Sequence, residues 1–317
     1  MVSYSVTFAL LASYEKRTES HVSVTQGQEG ATMNSQRIAV LTDSGTNTPQ
    51  DFVQQHDVRV VPLLINYQDG STYKSGIDIT TDEVIRRFEH EIPKTSLPSP
   101  EQIKQAIDQA HDDGYTCGVF VTISATLSAT NHTVHLVSHL VNDFPLVIID
   151  TKSIGVVAGM VVMQAVHMVE AGVPFGELEA RLNDLSESSD VFFTTKTLEY
   201  LFKGGRINAM TYRLGSVLNI KPVITCDRQG RYVVARKARG WERAISAEIK
   251  LVRELAQRFA KVRIGICCTN SNDLFDQLED RLRSEISNIV EVIRSGLSAD
   301  LIVHTGPDLV GIGVQPA

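Results

Sequence analysis

Three short runs constrain this chain more than any other feature. RIAVLT at 37–42, GVFVTI at 118–123 and PLVIID at 145–150 are apolar almost throughout, with helical stretches between them. Apolar runs of this length without alternation read as strands buried on both faces. Buried strands that alternate with helices build a parallel sheet covered on both sides. The expected fold class is α/β, opening with a parallel-sheet domain. In such sheets ligands lie outside the carboxyl ends of the strands. The first run ends in Asp43-Ser44-Gly45, and the second passes into Ser124-Ala125-Thr126-Leu127-Ser128-Ala129-Thr130, a cluster of hydroxyls where a helix begins. VRVVPLLIN at 58–66 reads as a further strand with QDGS at 68–71 as its turn; Thr48-Pro49 opens a helix, and 80–90 is a polar-faced one.

The other concentration of hydroxyls is KTSLPSP at 94–100. Residues ahead of Pro98 and Pro100 are pushed out of the α region, so Ser96 and Leu97 are expected on a rigid loop. Ser99 suits an N-cap, Pro100 the first helical position, and Gln102 the third residue after the cap, which together mark a helix start. Backbone N–H groups at a helix start and free hydroxyls favour a small anion, making Thr95 and Ser96 half of a candidate carboxylate clamp. The same residues also read as a capped loop that binds nothing.

Between Asp150 and Gly172 the sequence is apolar almost all round a helix, Met160, Met163 and Met168 included. Such a helix is buried on most sides, here between two domains, and flexible methionines are also suited to lining an adaptable apolar pocket. Phe175, Leu178, Leu182 and Leu185 space an amphipathic helix, 191–194 reads as a strand, and 198–202 as a short helix ending in Gly204-Gly205-Arg206. From 223 short strands joined by DRQG precede a helix over 242–260 and a strand over 262–268. The less regular alternation indicates an α+β domain, so the expected organisation is an extension over 1–35, an α/β domain over 36–170 and an α+β domain over 171–317. His304-Thr305-Gly306-Pro307 is expected to close the chain after a last helix and strand.

The first 35 residues are rich in Ser, Thr, Gln and Glu and are read as a disordered extension, with Met33 a possible second start. The apolar stretch at 6–12 lacks a preceding Lys or Arg and is followed by YEKRTES, unlike a cleaved signal. No run reaches the roughly 18 apolar residues of a spanning helix, so no integral membrane association is expected. A net charge of −7 argues against nucleic acid as a partner. Cys117 and Cys226 are isolated while Cys267 and Cys268 adjoin at the end of an apolar run, which suggests a buried strand in a reducing, cytoplasmic setting.

Common catalytic signatures are missing: GxSxG, Walker A, GxGxxG and CxxC do not occur. His132, His135 and His139 share a helical face with Asp143, but Val134, Val137, Leu140 and Val141 take the opposite side, so the histidines are read as solvated and no metal is expected. Ser96 or Ser128 with His304 could form a nucleophile and base, as an acyl hydrolase or small-molecule phosphotransferase would need, yet nothing orients the imidazole. Arg206 is either a helix-terminus charge or an exposed hook for a partner.

Seven motifs taken in order resemble one family: TDS (42–44), VVPL (60–63), TSxPSP (95–100), SxxLSxT (124–130), LEYLxKGGRI (198–207), LNIKP (218–222) and HTGP (304–307). They are similar to those of the DegV family of bacterial fatty-acid-binding proteins, over about 37–314. The resemblance implies a two-domain protein holding one long-chain fatty acid between its domains, with no cofactor and no catalysis of its own. It also implies that the acid is presented to a separate fatty acid kinase, which makes acyl-phosphate for phospholipid metabolism. Motif by motif, Ser96 is the implied principal carboxylate donor with Thr95 beside it, and His304 the other side-chain donor; a carboxylate buried there also favours a protonated imidazole at His304. Ser128 and Thr130 belong to the loop closing the headgroup and Arg206 contacts the kinase; on the reading of the apolar helix above, Met160, Met163 and Met168 are the residues expected to line the acyl tunnel. The chain departs from the family pattern at Leu64, where Ser or Thr is frequent, at Ala129 for a frequent Gly, and at Val303 and Asp308 beside HTGP.

Overall fold

A computed structural model describes residues 33–317 other than 142, 217, 218 and 270. The extension over 1–32 and Leu218 of the LNIKP motif lie outside the described residues. Residues 33–35 are already tied to the fold, because the Asn34 side chain donates to the Ile38 carbonyl at 2.8 Å and accepts from its N–H at 3.1 Å.

Strand β1 (Ile38–Asp43) is buried at every position and is followed by α1 (Gln50–Gln55) and β2 (Arg59–Val61). Pro62 has no N–H for a ladder, and the single strand expected over 58–66 divides there. Its second half, β3 (Leu64–Asn66), pairs antiparallel with β4 (Thr72–Lys74) and, beyond α2 (Thr81–Arg87), with β5 (Lys94–Ser96). The segment Lys94–Ser96 is therefore a strand of a separate three-stranded sheet, whereas the prolines predict a rigid loop at Ser96 and Leu97. The capping box does form: the Ser99 hydroxyl accepts from Gln102 N, the Gln102 side chain accepts from Ser99 N, and α3 (Pro100–Asp112) follows.

Strand β6 (Cys117–Thr122), α4 (Thr130–Ser138) and β7 (Leu146–Asp150) complete a parallel sheet of order β2-β1-β6-β7. One face packs Ala39, Leu41 and Phe120 against Ile103 and Ile107 of α3 and Val134 and Val137 of α4. The histidines of α4 are exposed as expected, but Leu140, beyond the helix end, is 66% exposed instead of buried. Among the described residues no group of His, Cys, Asp or Glu is arranged to hold a metal ion.

The other face is covered by α5 (Val156–Glu170), whose residues 156–166 are all buried. Beyond it come α6 (Phe175–Glu187), β8 (Asp190–Thr195), α7 (Glu199–Lys203), α8 (Ala209–Ser216), β9 (Ile220–Cys226), β10 (Tyr232–Arg239) and α9 (Trp241–Ala256). The chain ends with β11 (Val262–Cys268), α10 (Asn272–Glu285), β12 (Ile289–Gly296), α11 (Ala299–Thr305) and β13 (Leu309–Pro316). A six-stranded mixed sheet runs β10-β9-β8-β13-β11-β12. HTGP thus ends the last helix and precedes the last strand, whereas the sequence reading put it after both.

One core cluster joins Val40 and Val121 of the first sheet, Val161 and Val162 of α5, and Phe193 and Leu309 of the second sheet. Gly265 and Gly313 let α5 approach this closely, since a Cβ at either would overlap Val156 or Val157. Residues 33–317 form one compact unit by their contacts, and the expected boundary at 170/171 falls at the end of the helix that both sheets share. No helix among the described residues is long and apolar enough to cross a membrane.

Candidate functional site

Helix α11 brings polar groups into the region between the sheets. Its start is held by Asn47, which sits in the left-handed region after β1 and accepts from Ser298 N at 2.7 Å. The same side chain donates to Ser295 Oγ at 2.7 Å and the Gly296 carbonyl at 2.8 Å. Asp300 and His304 are four residues apart, which puts them on one helix face. Gly306 ends the helix with a positive φ of 73°, and a Cβ there would overlap the Tyr200 ring.

His304 Nε2 lies 2.7 Å from Thr95 Oγ1. Its ring rests on the backbone of Gly204, where a Cβ would overlap Nδ1, and Nδ1 has no partner. Burial, followed by the nearby Arg206 charge, holds the imidazole pKa down at about 3. The ring is neutral, so a protonated His304 does not fit this environment. When Nε2–H donates to Thr95 Oγ1, the Thr95 hydroxyl hydrogen is free for a ligand oxygen.

Successive strand residues face opposite ways, and β5 illustrates the consequence. Thr95 turns to His304, while the Ser96 hydroxyl turns to the other face and accepts from Asn66 Nδ2 at 3.0 Å. Leu64 is registered directly opposite Ser96. A hydroxyl at 64 would share the Ser96 face, so this departure from the family pattern leaves the Thr95–His304 side intact.

Thr95, Ser128, Arg206, Asp300 and His304 converge on a cavity of about 20 Å³ with Leu63, Ile123 and Leu127 around them. That volume is close to what one water molecule needs, hence oxygen-sized. The Arg206 guanidinium donates to the Gly204 carbonyl at 2.6 Å and the Leu127 carbonyl at 3.2 Å, and it is the one formal cation among the lining residues. Asp300 is 2% exposed; Oδ1 accepts from Ser75 Oγ at 2.6 Å, and the Ser298 and Ser44 hydroxyls lie near enough to favour the carboxylate, though none completes a hydrogen bond to Oδ2.

Ile154, Tyr232, Leu301 and Thr305 also line a second cavity of about 30 Å³, which continues along Val156, Val191, Phe193, Cys267, Leu309 and Gly311. A polar end thus lies against an apolar lane, and at about 20 and 30 Å³ both are closed down to the size of a water molecule, so a longer occupant must part the side chains that line them. A much larger cleft of about 590 Å³ lies past Leu297, walled by Asn47, Ser295 and Arg294, and includes neither Thr95 nor His304. Size and chemistry point to different places. Convergent polar groups beside a buried apolar lane are what a ligand site requires, so we assign the candidate site to the two smaller cavities.

A family model described as "Uncharacterised protein, DegV family" matches residues 37–317. The chain belongs to the DegV family. A DegV domain-containing protein of Clostridium perfringens is 31% identical over 88% of this chain and 99% of its own length. A protein of Thermotoga maritima named a fatty acid-binding protein is 28% identical over 88% of this chain and 98% of its own. Among solved structures, a DegV family protein from Thermus thermophilus described for its fatty acid binding superposes with a TM-score of 0.82, at 30% identity over 89% of this chain and all of that one.

In this DegV chain the structure unites Thr95, Ser128 and His304 but not every residue expected beside them. Thr130 is fully buried in the first turn of α4, 2.9 Å from Ser128 Oγ, and supports Ser128 from behind. Arg206 is half-buried in the cavity wall and is no exposed hook. Met160, Met163 and Met168 line neither cavity, because they occupy the middle and last turns of α5 while the lane passes its first turn at Gly155 and Val156. Neither Ser96 nor Ser128 bonds His304, so the nucleophile–base pair of the hydrolase reading is not formed. Sequence reasoning missed Asp300, Tyr232 and Leu301. The available signal was an acidic residue inside ADLIVHT, one helical turn before His304.

Proposed function

We propose that this protein binds one long-chain fatty acid, head in the polar cavity and tail along the apolar lane, and presents the carboxylate to a partner fatty acid kinase for acyl-phosphate formation. The observation that carries the reading is the continuity of the two cavities through Ile154, Tyr232, Leu301 and Thr305. Fatty acid binding by the named relatives supports it. Burying an acyl tail contributes about 0.8 kcal/mol per methylene, so a tail of about fifteen carbons contributes on the order of 10 kcal/mol before the costs of association. Affinity resides in the tail. A carboxylate buried without partners would cost several kcal/mol, which the Thr95 and Ser128 hydroxyls and the Arg206 charge offset. Orientation resides in the head.

The chain's own contribution to phosphoryl transfer is placement. The wall made by Gly204 and Arg206 belongs to the short connection between α7 and α8, where Gly205 and Asn208 are exposed, as is Met210 in the first turn of α8, so a partner approaching this connection meets the head end of the site. Native mass spectrometry of protein purified without added lipid is expected to show the added mass of one long-chain acid, and ATP with a purified fatty acid kinase to convert that acid to acyl-phosphate only when this protein is present. Ligand-free protein that also fails to bind palmitate and oleate would overturn the binding; acid bound but never phosphorylated would overturn the presentation.

A further inference from the structure

Asp300 is out of keeping with a site for anions. It is fully buried, it lines the same oxygen-sized cavity as Thr95, Arg206 and His304, and its Oδ2 has no hydrogen-bond partner. The charged and titratable groups around it are Asp43 from the end of β1, His304 on its own helix, Arg206 from the connection between α7 and α8, and the Tyr232 phenol of β10, which burial keeps protonated. Asp43 accepts from Gly45 N and Ile123 N and does not line the cavity. His304 is neutral. An acid entering the cavity would therefore set two carboxyl groups against one guanidinium. Two carboxylates at hydrogen-bond distance away from water cannot both be ionised.

Resting on the fatty-acid reading above, we propose that Asp300 contacts the bound acid directly and shares one proton with it, the O–H of one carboxyl donating to an oxygen of the other. The proton comes from solvent and no covalent bond changes. With it, one negative charge remains on the acid pair and is balanced by Arg206. Burial already raises the Asp300 pKa above the ordinary aspartate range, so the carboxyl is prepared to accept the proton.

The test is calorimetric titration of palmitate into wild type, Asp300→Asn and Asp300→Leu, in two buffers of different ionisation enthalpy, between about pH 6 and pH 9. Wild type is expected to take up close to one proton per acid bound at the upper end of this range, with affinity falling by up to about tenfold per pH unit there. Asp300→Asn keeps a donor on an isosteric side chain; it is expected to bind palmitate with that uptake abolished and a flatter pH profile. Asp300→Leu, with no donor, is expected to bind at least about tenfold more weakly than Asp300→Asn. Equal proton uptake by wild type and Asp300→Asn would assign the proton to His304 or Asp43 and overturn the proposal. So would a natively melting Asp300→Asn that binds no palmitate. Wild type that binds no palmitate at any pH overturns the fatty-acid reading itself, a result distinct from the other two.

Discussion

Gly204→Ala probes whether the head of the site depends on the seat of His304. Gly204 caps α7 with helical dihedrals, φ −73° and ψ −9°, so the backbone accepts an alanine without strain. The substitution should even favour folding by about 0.4–1 kcal/mol, through reduced freedom of the unfolded chain. The new methyl, however, would land on His304 Nδ1 and against the Tyr200 carbonyl. The backbone oxygen cannot give, so the imidazole must. Moving the ring breaks the 2.7 Å bond to Thr95 and leaves both partners buried without each other, at a cost of about 1–3 kcal/mol. If the ring is displaced only in part, that cost appears mainly in the ligand head contact, as roughly a 5- to 150-fold loss of palmitate affinity. Thermal unfolding read alongside should shift by only a few degrees. The informative pattern is weakened binding in a protein that melts almost normally. Wild-type affinity in Gly204→Ala would refute the reasoning, since it would mean that the position of His304 does not set the head of the site.

Strand alternation predicts that Thr95→Val weakens palmitate binding about tenfold and Ser96→Ala less than about threefold, measured as dissociation constants; the reverse order would show that the Ser96 face carries the ligand. Gly311→Leu projects a side chain into the apolar lane, and native mass spectrometry should find the retained acids shifted toward shorter chains, with about 0.8 kcal/mol lost per excluded methylene; an unchanged mass distribution would remove Gly311 from the acyl path. Asp43 is raised by burial, with Asp300 adding to it, to about 7 against the ordinary 3.8. A carboxyl raised on folding binds more protons in the native state, so its stabilising contribution is full below about pH 4 and is lost as pH rises to about 7, on the order of 4 kcal/mol in all. Urea midpoints across that window should therefore fall less steeply with pH in Asp43→Asn than in wild type, and parallel profiles would contradict the assignment.

The parallel sheet was legible because strands buried on both faces leave continuous apolar runs, and β1, β6 and β7 fall where those runs are. The capping box at Ser99 was equally legible, being a local pattern of side chain on backbone. Strand β5 was not. Three residues, Lys, Thr and Ser, carry no hydrophobic signature, and their pairing is decided by β3, about thirty residues earlier. With the strand missed, so was the alternation that sends Thr95 and Ser96 to opposite sides. Helix α5 was correctly read as apolar all round, but a helix without a polar face does not reveal which of its turns meets a cavity, and the methionines marked the wrong ones. Arg206 and Asp300 lay beyond local reading for a further reason: whether a charge faces solvent or a cavity depends on elements far away in sequence, here the loop after β6 for Arg206 and Ser75 for Asp300.

The position of β13 governs when this chain can become a protein. Its last strand lies in the middle of the six-stranded sheet, paired with β8 on one side and β11 on the other, and α5 waits for that sheet to cover its second face. A nascent chain that has reached Asp150 can form the parallel sheet, yet one face of that sheet stays bare until α5 emerges. Once α5 has docked, its own outer side stays bare until the final residues leave the ribosome. Apolar surface is therefore uncovered through most of synthesis, and the apolar lane, walled by Leu309 and Gly311 of that same strand, is among the last features to exist. A truncated product would lack not only a strand but the floor of the candidate site.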